Sequence, residues 1–231
     1  MRPEDISEPA PGVAPATGGD GLIDAAFGIA EAGEEMAARG LNPVMLANGQ
    51  YAFEEWQHYP PGDARDTITG VQLYYHSHRG EAEHGHFHVF LRGWSGVEGT
   101  AAVTAPGEPE ENIGKKDLVH VIAIAMDATG LPCGLFTCNR WVTNEVMAPA
   151  DAIIPRLAGL RLEDAFVDSL ANHWFSDFFR LYRDDIAALL TERDRALAAI
   201  GHALGDTSHE ILSQRPVSLL DRFEALGLIE D

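Results

Sequence analysis

The sequence predicts an α+β protein with an antiparallel β-sheet core, an N-terminal helix and a C-terminal helical region. Apolar residues recur at helical spacing near the N-terminus, alternate or cluster as in strands over residues 45–147, and return to helical spacing from about residue 162. We therefore expect a single α+β domain over residues 20–231. Residues 1–19 are rich in Pro, Gly and acidic residues, which predicts a disordered tail.

The predicted helices lie at the two ends of this domain. Apolar residues at every third or fourth position, after the N-terminal cap Asp20, predict a helix over residues 20–39. A second apolar stripe predicts helices over residues 162–229, and capping boxes at 207–210 and 218–221 predict where the last two begin. We interpret this stripe as core rather than as a cofactor-binding surface; it contains Phe166, Leu170, Trp174, Phe178 and Tyr182.

Four segments rich in β-branched and aromatic residues predict the strands of the sheet. They form two hairpins and cover residues 69–78, 84–93, 118–127 and 135–143. An acidic loop is predicted at residues 104–114. The Pro-Pro-Gly segment at residues 55–63 predicts another loop, which can cover a site on the sheet; we interpret its His58 as structural or solvated.

Composition and charge narrow the class of function. The chain has 231 residues and a net charge of -20, which disfavours binding to nucleic acid. It contains neither the apolar core of a signal peptide nor a run of about 18 apolar residues, so we expect a cytoplasmic protein with no membrane span. The two cysteines, Cys133 and Cys138, are not spaced as a metal clamp or redox pair and predict small buried side chains in a reduced compartment. The sequence does not indicate an oligomeric state.

Histidines are concentrated in the first predicted hairpin. Five of the ten in the chain lie between residues 76 and 88, at alternate positions along each arm. A five-residue loop at residues 79–83 would pair the two arms so that His78 faces His84, His76 faces His86 and Tyr74 faces His88. Because directly opposed residues project to the same side of an antiparallel pair, this register predicts that all five imidazole rings share one face.

Such a face has the dimensions of a metal site. Opposed Cβ atoms lie about 4.5–5.5 Å apart, and imidazole rings reaching inward from them can meet at one ion. The predicted ligands are His76, His78, His84, His86 and His88. Glu83 at the end of the loop can add a carboxylate, and His120 is either a further ligand or a core histidine on a strand face shared with Ile122, Ile124 and Met126. Imidazole ligation suits a divalent Fe, Mn, Zn, Ni or Cu ion. The alternative is a polar or pH-sensitive layer that holds no metal.

The segment "NRWVTNE" supplies candidate substrate-binding residues. If it continues a strand, Asn139, Trp141 and Thr143 share one face. Trp141 would then line a pocket, Asn139 would orient a ligand, and Arg140 would bind an anionic substrate. Tyr74, opposite His88, is a further candidate. The alternative is a strand end with a packed tryptophan and a surface arginine.

The histidine hairpin resembles the first metal motif of the cupins, G-x5-H-x-H-x3–4-E-x6-G. Gly70, His76, His78 and Glu83 match its spacing, but Phe90 stands where the final glycine is expected. The second cupin motif also departs, because Thr137 stands where its histidine would lie. The resemblance implies a 3-His-1-Glu or 2-His-1-carboxylate site of the oxygenase or isomerase kind.

A second resemblance is broader. The "EHGHFH" and "NRWVT" stretches, together with "HSH", are similar to an uncharacterised family of bacterial proteins over most of residues 50–150. That similarity implies no particular activity.

These observations predict a mononuclear metal site on a β-hairpin. The leading hypothesis is a metalloenzyme that acts on a small molecule, and the cupin resemblance favours a non-haem iron or manganese oxidoreductase over a zinc hydrolase. One alternative is a non-catalytic protein that binds or senses Ni, Cu or Zn. Another is an interaction domain whose histidines respond to pH without a metal.

Overall fold

The computed structural model describes residues 19–80, 83–94 and 115–230. The predicted tail therefore lies outside the described residues, except for Gly19, and so does the whole of the acidic loop predicted at residues 104–114. The helices are α1 (Gly19–Ala38), α2 (Pro43–Asn48), α3 (Arg140–Thr143), α4 (Ala150–Ile153), α5 (Ser169–Leu181), α6 (Arg183–Ala199) and α7 (Leu219–Ala225), with a 3-10 helix at Ile154–Gly159. The strands are β1 (Tyr59–Arg65), β2 (Val71–His76), β3 (Gly85–Arg92), β4 (Lys115–Met126), β5 (Pro132–Cys138), β6 (Glu145–Val146) and β7 (Ile211–Pro216).

The strands form one sheet in the order β1-β2-β3-β4-β5-β7. Neighbours along this path are antiparallel, and the short β6 lies parallel to β4. With helices before and after the sheet, the predicted α+β class is confirmed.

The two faces of the sheet have different surroundings. One face, here called the core face, carries buried apolar side chains that pack against α1, α5 and α6, and the ring of Phe87 lies 4.8 Å from that of Phe175. A fully buried aromatic side chain of this kind contributes about 1.5–3 kcal/mol. The opposite face, here called the histidine face, carries Tyr74 and His76 on β2, and His86 and His88 on β3. The predicted C-terminal apolar stripe belongs to the core, as expected.

Three local predictions were wrong. The segment predicted as a loop at residues 55–63 enters strand β1 at Tyr59 and pairs with β2. Residues 207–210 do not begin a helix; they form a turn in which Ser208 and His209 bind the carboxylate of Asp206. The chain then enters β7, because pairing with β5 satisfies its backbone at the sheet edge. Residues 140–143 are helical rather than extended. Asn139 accepts from the backbone N–H of Arg140, and Asn144, with φ of 55°, ends the turn, so local capping outweighs strand propensity here.

Asp66 joins the β1–β2 turn to the segment that precedes α5. Its buried carboxylate accepts backbone N–H groups from Ile68 at 3.0 Å, Thr69 at 2.7 Å and Asp164 at 2.9 Å, and also from Glu163. Burial alone would raise the pKa of Asp66, but these hydrogen bonds outweigh it and lower the pKa to about 2. One carboxylate therefore holds together two segments that are about a hundred residues apart in the chain.

We expect Asp66→Asn to lower the free energy of unfolding by about 2–3 kcal/mol near neutral pH, because an amide cannot accept at both positions. Urea unfolding measures this. The carboxylate contributes fully above its unfolded pKa of about 3.8, and its contribution falls as pH decreases toward 2, so the difference between the two proteins shrinks in acid.

Asp184→Asn is the matched control, since that side chain is 91% exposed. Equal stability of Asp66→Asn and wild type would contradict this account.

Candidate metal centre

The register of the β2–β3 hairpin is the one predicted from the sequence. His76 pairs with His86, and Tyr74 pairs with His88. On the histidine face, Nε2 of His76 lies 2.7 Å from Nε2 of His86, which lies 3.1 Å from Nε2 of His88. Three imidazole rings from two strands therefore meet in one buried space.

His78 joins this group although β2 ends two residues earlier. Its ring centroid lies 4.7 Å from that of His76 and 5.1 Å from that of His86. One ligand atom from each of the three lies within 4.8 Å of the others. We call His76, His78 and His86 the outer triad, because His78 is only half-buried.

Glu83 lies behind the outer triad. Its carboxylate accepts from Nδ1 of His86, and its second oxygen binds Arg79 at 3.2 Å. A carboxylate on Nδ1 fixes the ring orientation and leaves Nε2 available to a metal. In this geometry Glu83 orients His86, and its role as a further ligand stays a prediction.

His84 was predicted to share the histidine face, and this was wrong. Its Nδ1 lies 2.5 Å from Oη of Tyr75, a core-face residue, and its ring lies 5.6 Å from that of Phe53. Gly85 explains the departure. A Cβ there would lie 2.3 Å from the same Oη and 2.6 Å from the carbonyl oxygen of His76, so only glycine lets Tyr75 reach across to His84.

His120 was predicted to share a face with Ile122, and this was also wrong. The pairing of β3 with β4 shifts between Val89, which faces Ile122, and Phe90, which faces His120. Val121 is the extra residue of this β-bulge. A bulge reverses the alternation of side chains, so His120 lies on the histidine face, with Nε2 3.0 Å from Nδ1 of His88.

Cys138, at the end of β5, was not predicted as a site residue. Its Sγ lies 3.7 Å from Nδ1 and 3.9 Å from Nε2 of His120. One ligand atom from each of His88, His120 and Cys138 lies within 4.8 Å of the others, and all three residues are buried. We call these three residues the inner triad. Only the bulge and the β4–β5 pairing bring them together, so the sequence held no signal for this group beyond the presence of the cysteine.

The buried rings supply hydrogen-bond partners for one another. Because Glu83 accepts from Nδ1 of His86, the neutral ring of His86 accepts at Nε2. That atom has a single lone pair, so one ring can donate fully to it, and His76 is nearer at 2.7 Å than His88 at 3.1 Å. Nδ1 of His88 and Nε2 of His120 lie 3.0 Å apart and can pair with each other.

The electrostatics favour those neutral forms. Burial, followed by repulsion from neighbouring histidines, lowers the pKa of His76 to about 2 and that of His88 well below its usual value. Burial and the charge of Arg193 lower the pKa of His120 to about 3. Burial and His86 also lower the pKa of His78. Neutral imidazole is the form that binds metal.

The thiol of Cys138 is held in its protonated form. Burial, followed by the negative charge of Glu145, raises the pKa of Cys138 well above its usual value. Glu145 is itself fully buried at the start of β6.

The candidate substrate-binding residues lie in two places. Tyr74 lies among the histidines, with its ring 5.3 Å from that of His76 and 5.2 Å from that of His88. Asn139 and Trp141 instead donate to backbone carbonyl groups of residues 203 and 209. Arg140 is buried in α3. The expectation that Asn139, Trp141 and Thr143 share one face of a strand was wrong, because residues 140–143 are helical. The role of Asn139, Arg140 and Trp141 in substrate binding stays a prediction.

The segment predicted to cover the site lies against it. Trp56 stacks on His78, with ring centroids 4.3 Å apart, and His58 stacks on Tyr74 at 3.6 Å. The same segment lines a surface pocket of about 620 Å³, whose walls include Tyr51, Glu54, Trp56, His58 and Tyr59. This pocket is large enough for a small molecule, and two residues of its wall, Trp56 and His58, stack on His78 and Tyr74.

Comparison with known protein families matches residues 23–217 to a domain of unknown function, DUF6969. The match covers more than half of the chain, so the chain belongs to this family, in agreement with the expected resemblance to uncharacterised proteins. Neither a curated protein nor a solved structure matches the chain. Among the described helices, none is long and apolar enough to cross a membrane.

The cupin resemblance ends at the first motif. The described strands form a single sheet in meander order, whereas cupins are double-sheet jelly rolls. Glu83 contacts His86 and Arg79, so the carboxylate of the cupin ligand set is used for orientation here.

We expect the metal-free protein to lose stability as pH falls below about 6.5, the pKa of histidine in the unfolded chain. Below that pH the histidines of the unfolded chain become protonated, whereas the folded rings stay neutral because their pKa values are lowered. Each such ring stabilises the folded protein fully above pH 6.5. Below that pH, the free energy of unfolding falls by about 1.4 kcal/mol per pH unit for each ring, until the pKa of the ring in the folded protein is reached. Urea unfolding in the presence of a chelator, from neutral pH to about pH 4.5, measures the slope.

His120→Phe should reduce that slope by the share of one ring, whereas replacing the exposed His173 by alanine should leave it unchanged. A slope in His120→Phe equal to that of wild type would contradict the assignment.

Proposed function

We propose that this protein is a metalloenzyme with a mononuclear site at the outer triad, acting on a small molecule that enters through the adjoining pocket. The observation that carries the proposal is the convergence of three imidazole rings within 4.8 Å, with a buried carboxylate fixing the orientation of one of them. A hydrogen-bonded core needs no such convergence of one residue type.

The donor atoms fit a transition metal. Bonds of about 2.0–2.1 Å in tetrahedral geometry place two ligand nitrogens about 3.3 Å apart. Within the outer triad, Nε2 of His76 lies 2.7 Å from Nε2 of His86, and one ligand atom from each of the three residues lies within 4.8 Å of the others. Side-chain shifts would bring the three donors to the spacing of a bound ion. Imidazole donors suit zinc, iron, nickel or copper, and elemental analysis would assign the metal.

The site has the features of a catalytic centre rather than a closed structural one. It offers three protein ligands, the number typical of catalytic zinc, and His78 reaches the surface beside Trp56. When bound, the metal would supply Lewis-acid or redox chemistry. His58 lies at the same pocket with Nδ1 3.2 Å from the carboxylate of Asp63, so it is placed to exchange protons with a bound molecule.

Three imidazoles serve hydrolytic and oxidative metals alike. The preference for a non-haem iron or manganese oxidoreductase depended on the cupin resemblance, which the single sheet of the described residues does not support. We therefore propose the metalloenzyme class without choosing between these two reactions.

Non-catalytic metal binding is the second candidate. It is favoured by the number of buried donors, since the inner triad adds three to those of the outer triad. A storage or sensing protein would use all of them to enclose its ion.

His86→Ala should weaken metal binding at the outer triad at least 10-fold, and Glu83→Gln by about 10- to 100-fold, because the first removes a ligand and the second its orienting partner. Elemental analysis of the purified protein, followed by competition with a chromogenic chelator, measures both effects.

His173→Ala is the matched control, since that histidine is exposed on α5. Wild-type protein without stoichiometric metal, both as purified and after reconstitution, would leave the pH-responsive alternative standing.

An open coordination position distinguishes a metalloenzyme from a metal-storage protein, whose ion is fully enclosed by protein ligands. We expect azide to change the visible spectrum of the cobalt-loaded protein, because the outer triad leaves room for a fourth ligand. Trp56→Ala, which uncovers His78, should speed this change. A spectrum that azide leaves untouched would favour storage.

A further inference from the structure

The inner triad lies beside the outer triad but does not belong to it. Nδ1 of His88 and Nε2 of His120 are 3.0 Å apart, and Sγ of Cys138 lies 3.9 Å from the same Nε2. Three strands supply these residues, β3, β4 and β5.

The distances match mixed nitrogen and sulfur coordination. Bonds of about 2.0–2.1 Å to nitrogen and 2.3 Å to sulfur, at tetrahedral angles, place nitrogens about 3.3 Å from each other and about 3.6 Å from the sulfur. The observed separations of 3.0 Å between the two nitrogens and 3.9 Å from Nε2 of His120 to the sulfur lie within a few tenths of an ångström of these values.

His88 stands between the two groups. Its Nε2 lies 3.1 Å from Nε2 of His86 in the outer triad, while its Nδ1 lies beside His120 in the inner triad. In the proposed arrangement Nδ1 of His88 binds the inner ion, while Nε2 keeps its proton and leaves the outer ion to the outer triad. The ring of His88 therefore separates the two ions.

We propose that His88, His120 and Cys138 form a second metal site, with mixed nitrogen and sulfur ligation, so that the protein holds two ions and not one. A borderline or soft divalent ion such as Zn²⁺ suits the thiolate. On binding, the Cys138 thiol forms a sulfur–metal bond and releases its proton to solvent, with no change in oxidation state.

The surroundings distinguish this site from the outer one. Its three residues are at most 4% exposed, and the rings of Phe90 and Phe136 lie close by, at 5.3 Å from the ring of His120 and 6.3 Å from that of His88. A buried site with a thiolate ligand is typical of a structural ion. The inner ion would stabilise the sheet beside a more accessible outer ion.

Titration of the full-length, metal-free protein with Co²⁺ under reducing, anaerobic conditions tests the proposal. We expect two equivalents to bind, one of them accompanied by a near-ultraviolet sulfur-to-cobalt charge-transfer band. Cys138→Ala should lose that band and bind only one equivalent tightly. Any second equivalent should bind at least 10-fold more weakly than in wild-type protein. Cys133→Ala, which removes the other cysteine, should keep both, and His78→Ala should lose one equivalent while keeping the band.

The outcomes separate this inference from the proposed function. One equivalent without the band, abolished by His78→Ala, would overturn the second site and leave the outer site intact. Two equivalents in Cys138→Ala, or a band that depends on Cys133, would also overturn it. No cobalt binding at all would reject both sites. Should Cys138→Ala fail to fold by circular dichroism, the absence of the band from wild-type protein is sufficient to overturn the inference.

Discussion

The antiparallel pairing of His76 with His86 is the constraint on which the site depends. A slip of one residue would carry His86 to the core face, among the aromatic side chains that pack on α5, and would send apolar rings such as Phe87 to the opposite side. The apolar residues of β2 and β3 therefore hold the histidines in place. Burial of Leu73, Phe87 and Val89 against the helices determines the face on which the imidazole rings meet.

The polar rings of the histidine face are buried, and hydrogen bonds among them offset the cost of removing them from water. Buried polar rings without partners would each cost about 1–3 kcal/mol. Here each ring finds its partner in the next, from His76 through His86 and His88 to His120, and Glu83 sets the direction of the donors. The four histidines of this hydrogen-bonded chain, His76, His86, His88 and His120, all belong to the two groups that could hold a metal ion.

Two environments follow from the position of each group in the sheet. The outer triad lies where the β2–β3 hairpin ends, beside the loop that carries Trp56 and His58, so it meets solvent and a pocket. The inner triad lies at the centre of the sheet, where β3, β4 and β5 run side by side. Position in the sheet therefore separates an accessible group suited to chemistry from an enclosed group suited to structure.

The sequence by itself determined the α+β class, the hairpin and its register, because alternation of side chains is a local property that a strand expresses wherever it lies. The tertiary structure decided the rest. The bulge at Val121 turns His120 to the histidine face, Gly85 lets Tyr75 draw His84 away, and strand pairing brings Cys138 to His120. Each depends on contacts between segments whose relative placement no local pattern encodes. The helical turn after Asn139 shows the reverse case, in which short-range capping overrode a strand pattern.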